Sequence, residues 1–237
     1  MQITALLTGR GNNTMKDKNI RLINGKPLLY YGASAAKRSK YITNFFCSSD
    51  DDKILSAAAN IGYTPIKRPP EYAQPTSQHV DAIKHALSVM QNEYGLKTDI
   101  IVVLLANTVT IKTSWIDACI EKLLQDPTLS AAVPVYQEQS LHPVRAKKLN
   151  EEGLLIPHFK PEEMPRSSNR QDLCDNYFLC HNFWVLNVKQ SVFEPNGQPP
   201  FTFMGNRIVP YVVDEAFDVH DEDDLIRCEK WIERNKE

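Results

Sequence analysis

Short apolar runs alternate with segments whose apolar positions recur every three or four residues, a rhythm that predicts strands and helices taking turns along the chain. Ile3-Thr4-Ala5-Leu6-Leu7-Thr8 reads as a short buried strand. From Pro27 to Lys40 the spacing is helical, with Pro27 acceptable at a helix start. Asn44 to Ser48 predicts a second strand, and Asp50 is placed to cap a helix from Asp51 to Asn60. Tyr63 to Ile66 predicts a third strand, and Val80 to Met90 a helix with Val80, Ile83, Ala86, Leu87 and Met90 on one stripe. Ile100 to Leu105 is a continuous Ile/Val/Leu run, the kind buried on both faces of a parallel sheet. Trp115 to Leu124 predicts a further amphipathic helix, Ala131 to Val135 and Asn182 to Val188 strands, and Leu225 to Arg234 a closing helix.

That order of elements predicts an α/β fold: a mostly parallel sheet with helices on both faces. The rhythm breaks between Gln137 and Asp175, a stretch rich in Pro, Arg, Lys, Glu and His. A structureless loop of that length is out of place inside a compact domain, so hairpins or an arm packing on a partner are expected there. The expectation is one domain over residues 1–237 with residues 137–175 as an inserted arm.

Composition narrows the class. With 42% hydrophobic and 24% charged residues the chain is not disordered, and a net charge of -2 leaves no global footprint for nucleic acid. An anionic ligand must therefore meet a local basic cluster. The longest apolar run, Ile100 to Ala106, is far too short to span a bilayer, and Met1-Gln2-Ile3-Thr4 lacks the basic start of a signal peptide. The 5 cysteines form no C-x-x-C pair and are expected as idle thiols in a reducing compartment. These readings together predict a cytoplasmic protein with no membrane partner.

The first candidate site is the loop after the first strand, from Gly9-Arg10-Gly11-Asn12 to Lys16-Asp17-Lys18-Asn19. In an open α/β sheet ligands lie outside the carboxyl ends of the strands, where this loop falls. Gly9 and Gly11 allow close backbone approach, and Arg10, Lys16 and Lys18 suit a polyphosphate. The loop is neither G-x-G-x-x-G nor a P-loop, and a solvated basic turn explains the same residues. There is no H-E-x-x-H or G-x-S-x-G, which excludes the usual zinc protease and serine hydrolase patterns.

The stretch Leu7-Thr8-Gly9-Arg10-Gly11, then Lys18-Asn19-Ile20-Arg21, then Asn24-Gly25-Lys26-Pro27-Leu28 resembles the opening of the acylneuraminate cytidylyltransferase family. This family includes the CMP-sialic acid synthetases and their relatives for Kdo, legionaminic and pseudaminic acids. Further matches follow in order: Ser48-Ser49-Asp50-Asp51, Arg68-Pro69-Pro70-Glu71, Thr76-Ser77, Leu104-Leu105, His142-Pro143, Pro165-Arg166, Asn182 and Asp218-Val219-His220-Asp221. The resemblance implies a Rossmann-like nucleotidyltransferase fold, CTP as activated substrate, Mg²⁺, and a homodimer whose arm reaches over the neighbouring subunit.

On that resemblance Arg10 and Lys18 are the catalytic phosphate-binding pair. Gly9, Gly11, Asn12, Lys16, Ser49, Asp50, Arg68 and Thr76 bind nucleotide, and Asn107, Arg166 and Asn182 bind the acceptor. The metal falls to Asp218 and His220, where the family has D-x-D. Imidazole suits a hard ion less well than carboxylate does, so Asp221 is an alternative. Acidic residues at 221–224 also favour a helix dipole without any metal.

The expected acceptor is an acidic keto sugar, its anomeric hydroxyl attacking the α-phosphorus of CTP with loss of pyrophosphate. Such transfer depends mainly on positioning and charge neutralisation. Departures at Ala106, Lys112 and Leu179-Cys180-His181-Asn182-Phe183-Trp184, where relatives carry Gln, Arg and R-P-N-G-A, predict a changed acceptor. A phosphate- or phosphonate-bearing acceptor, or a non-catalytic nucleotide-binding protein, are the alternatives.

Overall fold

Every residue of Ile3–Thr8 (β1) is buried, as is every residue of Ile100–Leu105, so both segments must lie mid-sheet with cover on each face. The computed structural model describes residues 1–11, 15–160, 167 and 169–235. After β1 come the two-residue strands β2 (Leu22–Ile23) and β3 (Lys26–Pro27), then α1 (Leu29–Lys37), β4 (Asn44–Ser49), α2 (Asp52–Ala59) and β5 (Thr64–Lys67). The middle holds α3 (His79–Tyr94), β6 (Ile100–Leu105), α4 (Thr113–Gln125) and β7 (Ala131–Gln137). The remainder is β8 (Lys147–Leu149), β9 (Leu155–Pro157), β10 (Tyr177–Leu179), β11 (Phe183–Asn187), β12 (Ile208–Val212) and α5 (Glu222–Arg234).

The main sheet has 8 strands. β5, β4, β1 and β6 are neighbours in parallel, in register from Thr4 opposite Asn44 and Ile3 opposite Ile100. β11 enters antiparallel between β6 and β7, and β12 pairs in parallel along the other edge of β7. β10 pairs antiparallel with the far end of β7. Six strands thus share one direction, while β10 and β11 run against it.

Period-two alternation assigns the two faces. Ile3, Ala5, Leu7, Ile100, Val102 and Leu104 pack on α1, α2 and α4. Leu6, Ile101, Val103 and Leu105 meet α3 and the segment carrying Val192, Phe203 and Met204. A third cluster seats α5 through Cys228 and Trp231 against Ile23, Leu28 and Val109. No helix among the described residues is long and apolar enough to cross a membrane.

Three local expectations need correcting. Pro27 sits in β3, and α1 starts two residues later, because Leu22–Ile23 pairs with Lys26–Pro27 around a turn at Asn24 and Gly25, both at positive φ. Asp51, not Asp50, caps α2, its carboxylate accepting from Lys53 N. The strands at Tyr177–Leu179 and Ile208–Val212 were missed; each is short, and part of each is exposed. The stretch between β7 and β10 does hold a hairpin, β8 paired with β9.

Four of the cysteines are buried and the fifth, Cys174, is exposed; all 5 are free. Burial pushes the thiols of Cys47, Cys119, Cys180 and Cys228 up to about 12, which leaves them unreactive.

Candidate functional site

Because β1, β4, β5 and β6 are parallel, the residues following them emerge on one side: Gly9-Arg10, Asp50, Arg68 and Ala106-Asn107. A cleft of about 370 Å³ opens there, lined by Gly9, Arg10, Lys18, Arg68, Asn107 and Asp218 among others. Its position is the one that an open α/β sheet reserves for ligands. An adjoining cleft of about 460 Å³ shares Arg68 and Gln74 and adds Asp50 and Lys67.

Hydrogen bonds fix the described ends of the loop after β1. Asn19 Nδ2 donates to the Arg10 carbonyl at 3.1 Å, and Gly11 N donates to Asp50 Oδ1 at 3.0 Å. A side chain at Gly11 would begin 2.6 Å from Asp51 Oδ2, so glycine is needed for this close approach. Arg10 reaches across the cleft and donates to the Gln74 carbonyl at 3.0 Å. Lys18 opens a single 3₁₀ turn after Asp17, which takes the left-handed conformation at φ 53°.

Lys18 is 7% exposed, and its Nζ donates to the Val219 carbonyl at 2.8 Å. Burial lowers its pKa, Asp218 raises it in part, and Arg10 lowers it further. A cation that has lost most of its hydration in this way gains from an incoming anion. Arg68 is equally buried and holds the end of β4, donating to Ser48 Oγ at 3.1 Å and the Ser48 carbonyl at 2.7 Å. Burial lowers its pKa too, and Asp50 opposes the shift.

Asp218 is brought to the cleft by ties to residues more than 100 positions away in sequence. Val219 N donates to the Asn107 carbonyl at 2.8 Å, and the Thr108 and Thr110 hydroxyls donate to the Phe217 carbonyl at 2.9 and 3.0 Å. Asp218 Oδ2 then accepts from Asn107 Nδ2 at 3.1 Å and lies 2.9 Å from His220 Nε2. Among the described residues, no cluster of three or more His, Cys, Asp or Glu side chains is arranged to hold a metal on its own. Asp218 is the carboxylate that lines the cleft, with the His220 imidazole beside it.

Of the residues singled out from sequence, Gly9, Arg10, Lys18, Arg68, Asn107 and Asp218 line the one cleft. Asp50 lines its neighbour. Gly11 and His220 lie in the segments beside the cleft without lining it, and Lys16 is exposed outside it. Ser49 is fully buried, its hydroxyl accepting from Asp51 N, and Thr76 is exposed next to the lining residue Ser77. Asn182 faces inward: Nδ2 donates to the Thr110 carbonyl at 2.7 Å, and Oδ1 accepts from Phe183 N. Its amide is thus committed to the fold, not to a ligand. Asn12 and Arg166 lie outside the described residues.

The departures expected to reshape the acceptor pocket mostly do not face it. Phe183 and Trp184 fill the core on opposite faces of β11, and Ala106 is buried against Gly9. Lys112 lies over the Trp115 and Trp231 rings at 5.3 and 5.8 Å. Of Leu179 to Trp184, only His181 lines the cleft.

Sequence reasoning missed several lining residues, among them Tyr72, Gln74, Gln78 and His79. The Thr76-Ser77 match marked the right segment but not which side chain turns inward. His79 starts α3 and is exposed toward the cleft, its ring edge-on to Trp184 at 5.3 Å. Burial, reinforced by Arg68, His181 and Arg10, pushes its pKa down to about 4, so it is neutral at neutral pH.

Residues 11–153, more than half of the chain, match the sequence model of the cytidylyltransferase family. Two 8-amino-3,8-dideoxy-manno-octulosonate cytidylyltransferases, from Shewanella baltica and Shewanella oneidensis, are 33% and 32% identical over 104 residues. These matches cover 44% of this chain and span only 39% of those relatives. Among solved structures, a CMP:2-keto-3-deoxy-manno-octonic acid synthetase complexed with CTP superposes with a TM-score of 0.72 over 99% of each chain, at 14% identity. A 4-diphosphocytidyl-2C-methyl-D-erythritol synthase from Anaerococcus prevotii gives 0.66 at 11% identity, over 98% of this chain and 96% of that one. Both share the fold of this chain.

Proposed function

The chain belongs to the cytidylyltransferase family, and from that premise we propose that it transfers CMP from CTP to an acidic keto sugar with release of pyrophosphate. The observation that carries the reading is the meeting of Arg10, Lys18, Asn107 and Asp218 around one cleft beyond the carboxyl ends of β1 and β6.

Arg10 and Lys18 supply two cations to neutralise the triphosphate, and the Gly9–Gly11 backbone lets it approach closely. Lys18 is held by the Val219 carbonyl, so its position needs little reorganisation when charge develops on the α-phosphoryl group. Arg68 adds positive charge where the two clefts meet. Neutral His79 and exposed His181 offer the acceptor side ring nitrogens without adding a formal charge from His79. Asp218, oriented by Asn107, would hold a Mg²⁺ ion carried on the phosphates; such an ion withdraws charge from the phosphoryl oxygens when bound.

An acidic sugar is favoured by the named substrate of the Shewanella relatives and by the cationic cleft. Homodimer formation through the β8–β9 arm is part of this proposal, supported by exposed Leu141, Leu149, Leu154 and Leu155. A cytoplasmic location follows from the use of CTP.

The test is pyrophosphate release from CTP and Mg²⁺ against sialic, legionaminic, pseudaminic, Kdo and 8-amino-Kdo acids, with phosphorylated acceptors alongside. Release with one keto-acid sugar, absent from a Lys18→Met control, supports the reading. Release with phosphorylated acceptors alone replaces the acceptor class, and CTP binding without turnover replaces the enzyme reading.

A further inference from the structure

Of the departures from the family pattern, Lys112 is one that the cleft does not use, and it lines a second cavity. This cavity, of about 250 Å³, lies between α1 and α5. Tyr31, Ile111 and Trp231 give it an apolar lining, and Ser34, Arg38 and Lys112 a polar one. Trp231 is buried, its ring edge-on to Trp115 at 6.4 Å. Tyr31 is pinned by its hydroxyl, which donates to the Ile23 carbonyl at 2.6 Å. Lys112 Nζ lies over both tryptophan rings, at 5.3 and 5.8 Å, and forms no ion pair among the described residues. Arg38, which follows α1, donates to Ser34 Oγ at 3.0 Å. Among the described residues, no acidic side chain lines the cavity.

We propose that this cavity is a second binding site, taking a single aromatic ring that carries an anionic group, and that its occupant strengthens CTP binding in the cleft. The ligand class follows from charge complementarity: two cations and no acid border an aromatic lining. Size agrees with it. An apolar cavity of about 150 Å³ holds one benzene ring, so this one has room for a ring and its substituent. The effect on the cleft follows from the two walls. One wall is residues 109–112, directly after Asn107, where the Thr108 and Thr110 hydroxyls hold the Phe217 carbonyl. The other is α5, which starts just after Asp218 and its cap residue Asp221. Asn107 and Asp218 are themselves joined at 3.1 Å. A ligand seated between these walls restrains both side chains, and a site ordered beforehand binds its own ligand more tightly. Only this second effect rests on the nucleotidyl-transfer reading.

The test uses the full chain and needs no acceptor. Benzenesulfonate and uncharged benzyl alcohol are titrated separately while the tryptophan indole N–H resonances are followed. Benzenesulfonate should move the Trp231 resonance and leave that of Trp184, whose ring meets His79 at the cleft, in place. Lys112→Met should weaken benzenesulfonate binding by about fivefold without changing that of benzyl alcohol, and Lys112→Arg should restore it. Calorimetric titration with CTP at saturating benzenesulfonate should show an affinity raised by about fivefold. An unmoved Trp231 resonance overturns the site, as does equal benzenesulfonate affinity in the native chain and Lys112→Met. A CTP affinity that is unchanged, or lowered because benzenesulfonate enters the cleft and moves Trp184, overturns the effect on the cleft. If CTP fails to bind even without benzenesulfonate, the nucleotide reading fails and the Trp231 shift still decides the site.

Discussion

Lys18 Nζ donates a 2.8 Å hydrogen bond to the carbonyl of Val219, joining two segments 201 residues apart. The bond links the loop after β1 to the segment that carries Asp218, so the principal cation and the principal anion of the cleft are positioned together. Lys18→Met keeps the apolar stem and removes only the charged head. It should lower kcat for CTP turnover by about 10²- to 10³-fold, the usual cost of removing one preorganised electrostatic contact. Thermal unfolding read beside the kinetics separates the roles: a loss of stability that accounts for the lost activity would make Lys18 a structural tie.

Gly11 tests the close approach of the loop to α2. Its added Cβ would lie 2.6 Å from Asp51 Oδ2 and 2.8 Å from Asp51 Cβ, while Asp51 is fixed as the cap of α2. Gly11→Ala should therefore displace the loop outward, not unfold the domain. Calorimetric titration is expected to show weakened CTP binding with an unchanged circular dichroism spectrum.

Asn182 is predicted to be a structural residue. Its side chain ties the start of β11 to Thr110, whose hydroxyl in turn holds Phe217. Asn182→Ala leaves the Thr110 carbonyl and Phe183 N without partners in a fully buried place, at a cost of about 1–3 kcal/mol. Denaturant unfolding should show that loss. If stability is unchanged and only the KM for the acceptor rises, the residue belongs to the binding site after all.

His79 gives the fold an acid sensitivity. Its pKa of about 4 in the folded chain lies below the ~6.5 of an unfolded one. Between those values the unfolded chain holds the additional proton, so folding weakens as pH falls through that window and is unaffected by this group above it. Melting temperatures of the native chain and His79→Gln should coincide in their pH trend near neutrality and diverge below pH ~6, the variant losing less. Parallel curves down to pH ~4 would show that the ring protonates without cost.

The alternating strands and helices, the buried β1 and β6, and the basic loop after β1 were all legible in the sequence, because burial on two faces and the 3.6 period leave local signatures. The resemblance of ordered motifs further placed Arg10, Lys18, Arg68 and Asp218, and these do meet at one cleft. Local pattern could not say which way a side chain turns. Asn182 and Ser49 stand in matching motifs, yet both are buried and spent on hydrogen bonds within the fold. His79 carries no pattern of its own, yet lies open to the cleft because α3 begins there. Phe183 and Trp184 look like pocket changes along the chain, but β11 is inserted mid-sheet and sends them to opposite cores.

What the sequence by itself determined was the class of fold and the charge offered to a ligand, since periodicity and composition are properties of neighbours along the chain. The partnership of Asp218 with Asn107, Lys18 and His220, and the withdrawal of Asp221 into a helix cap, were decided only by the tertiary structure. The physical reason is that Asp218 is held by a backbone bond from Val219 to Asn107, a contact between the segment before α5 and the loop after β6 that no local pattern encodes.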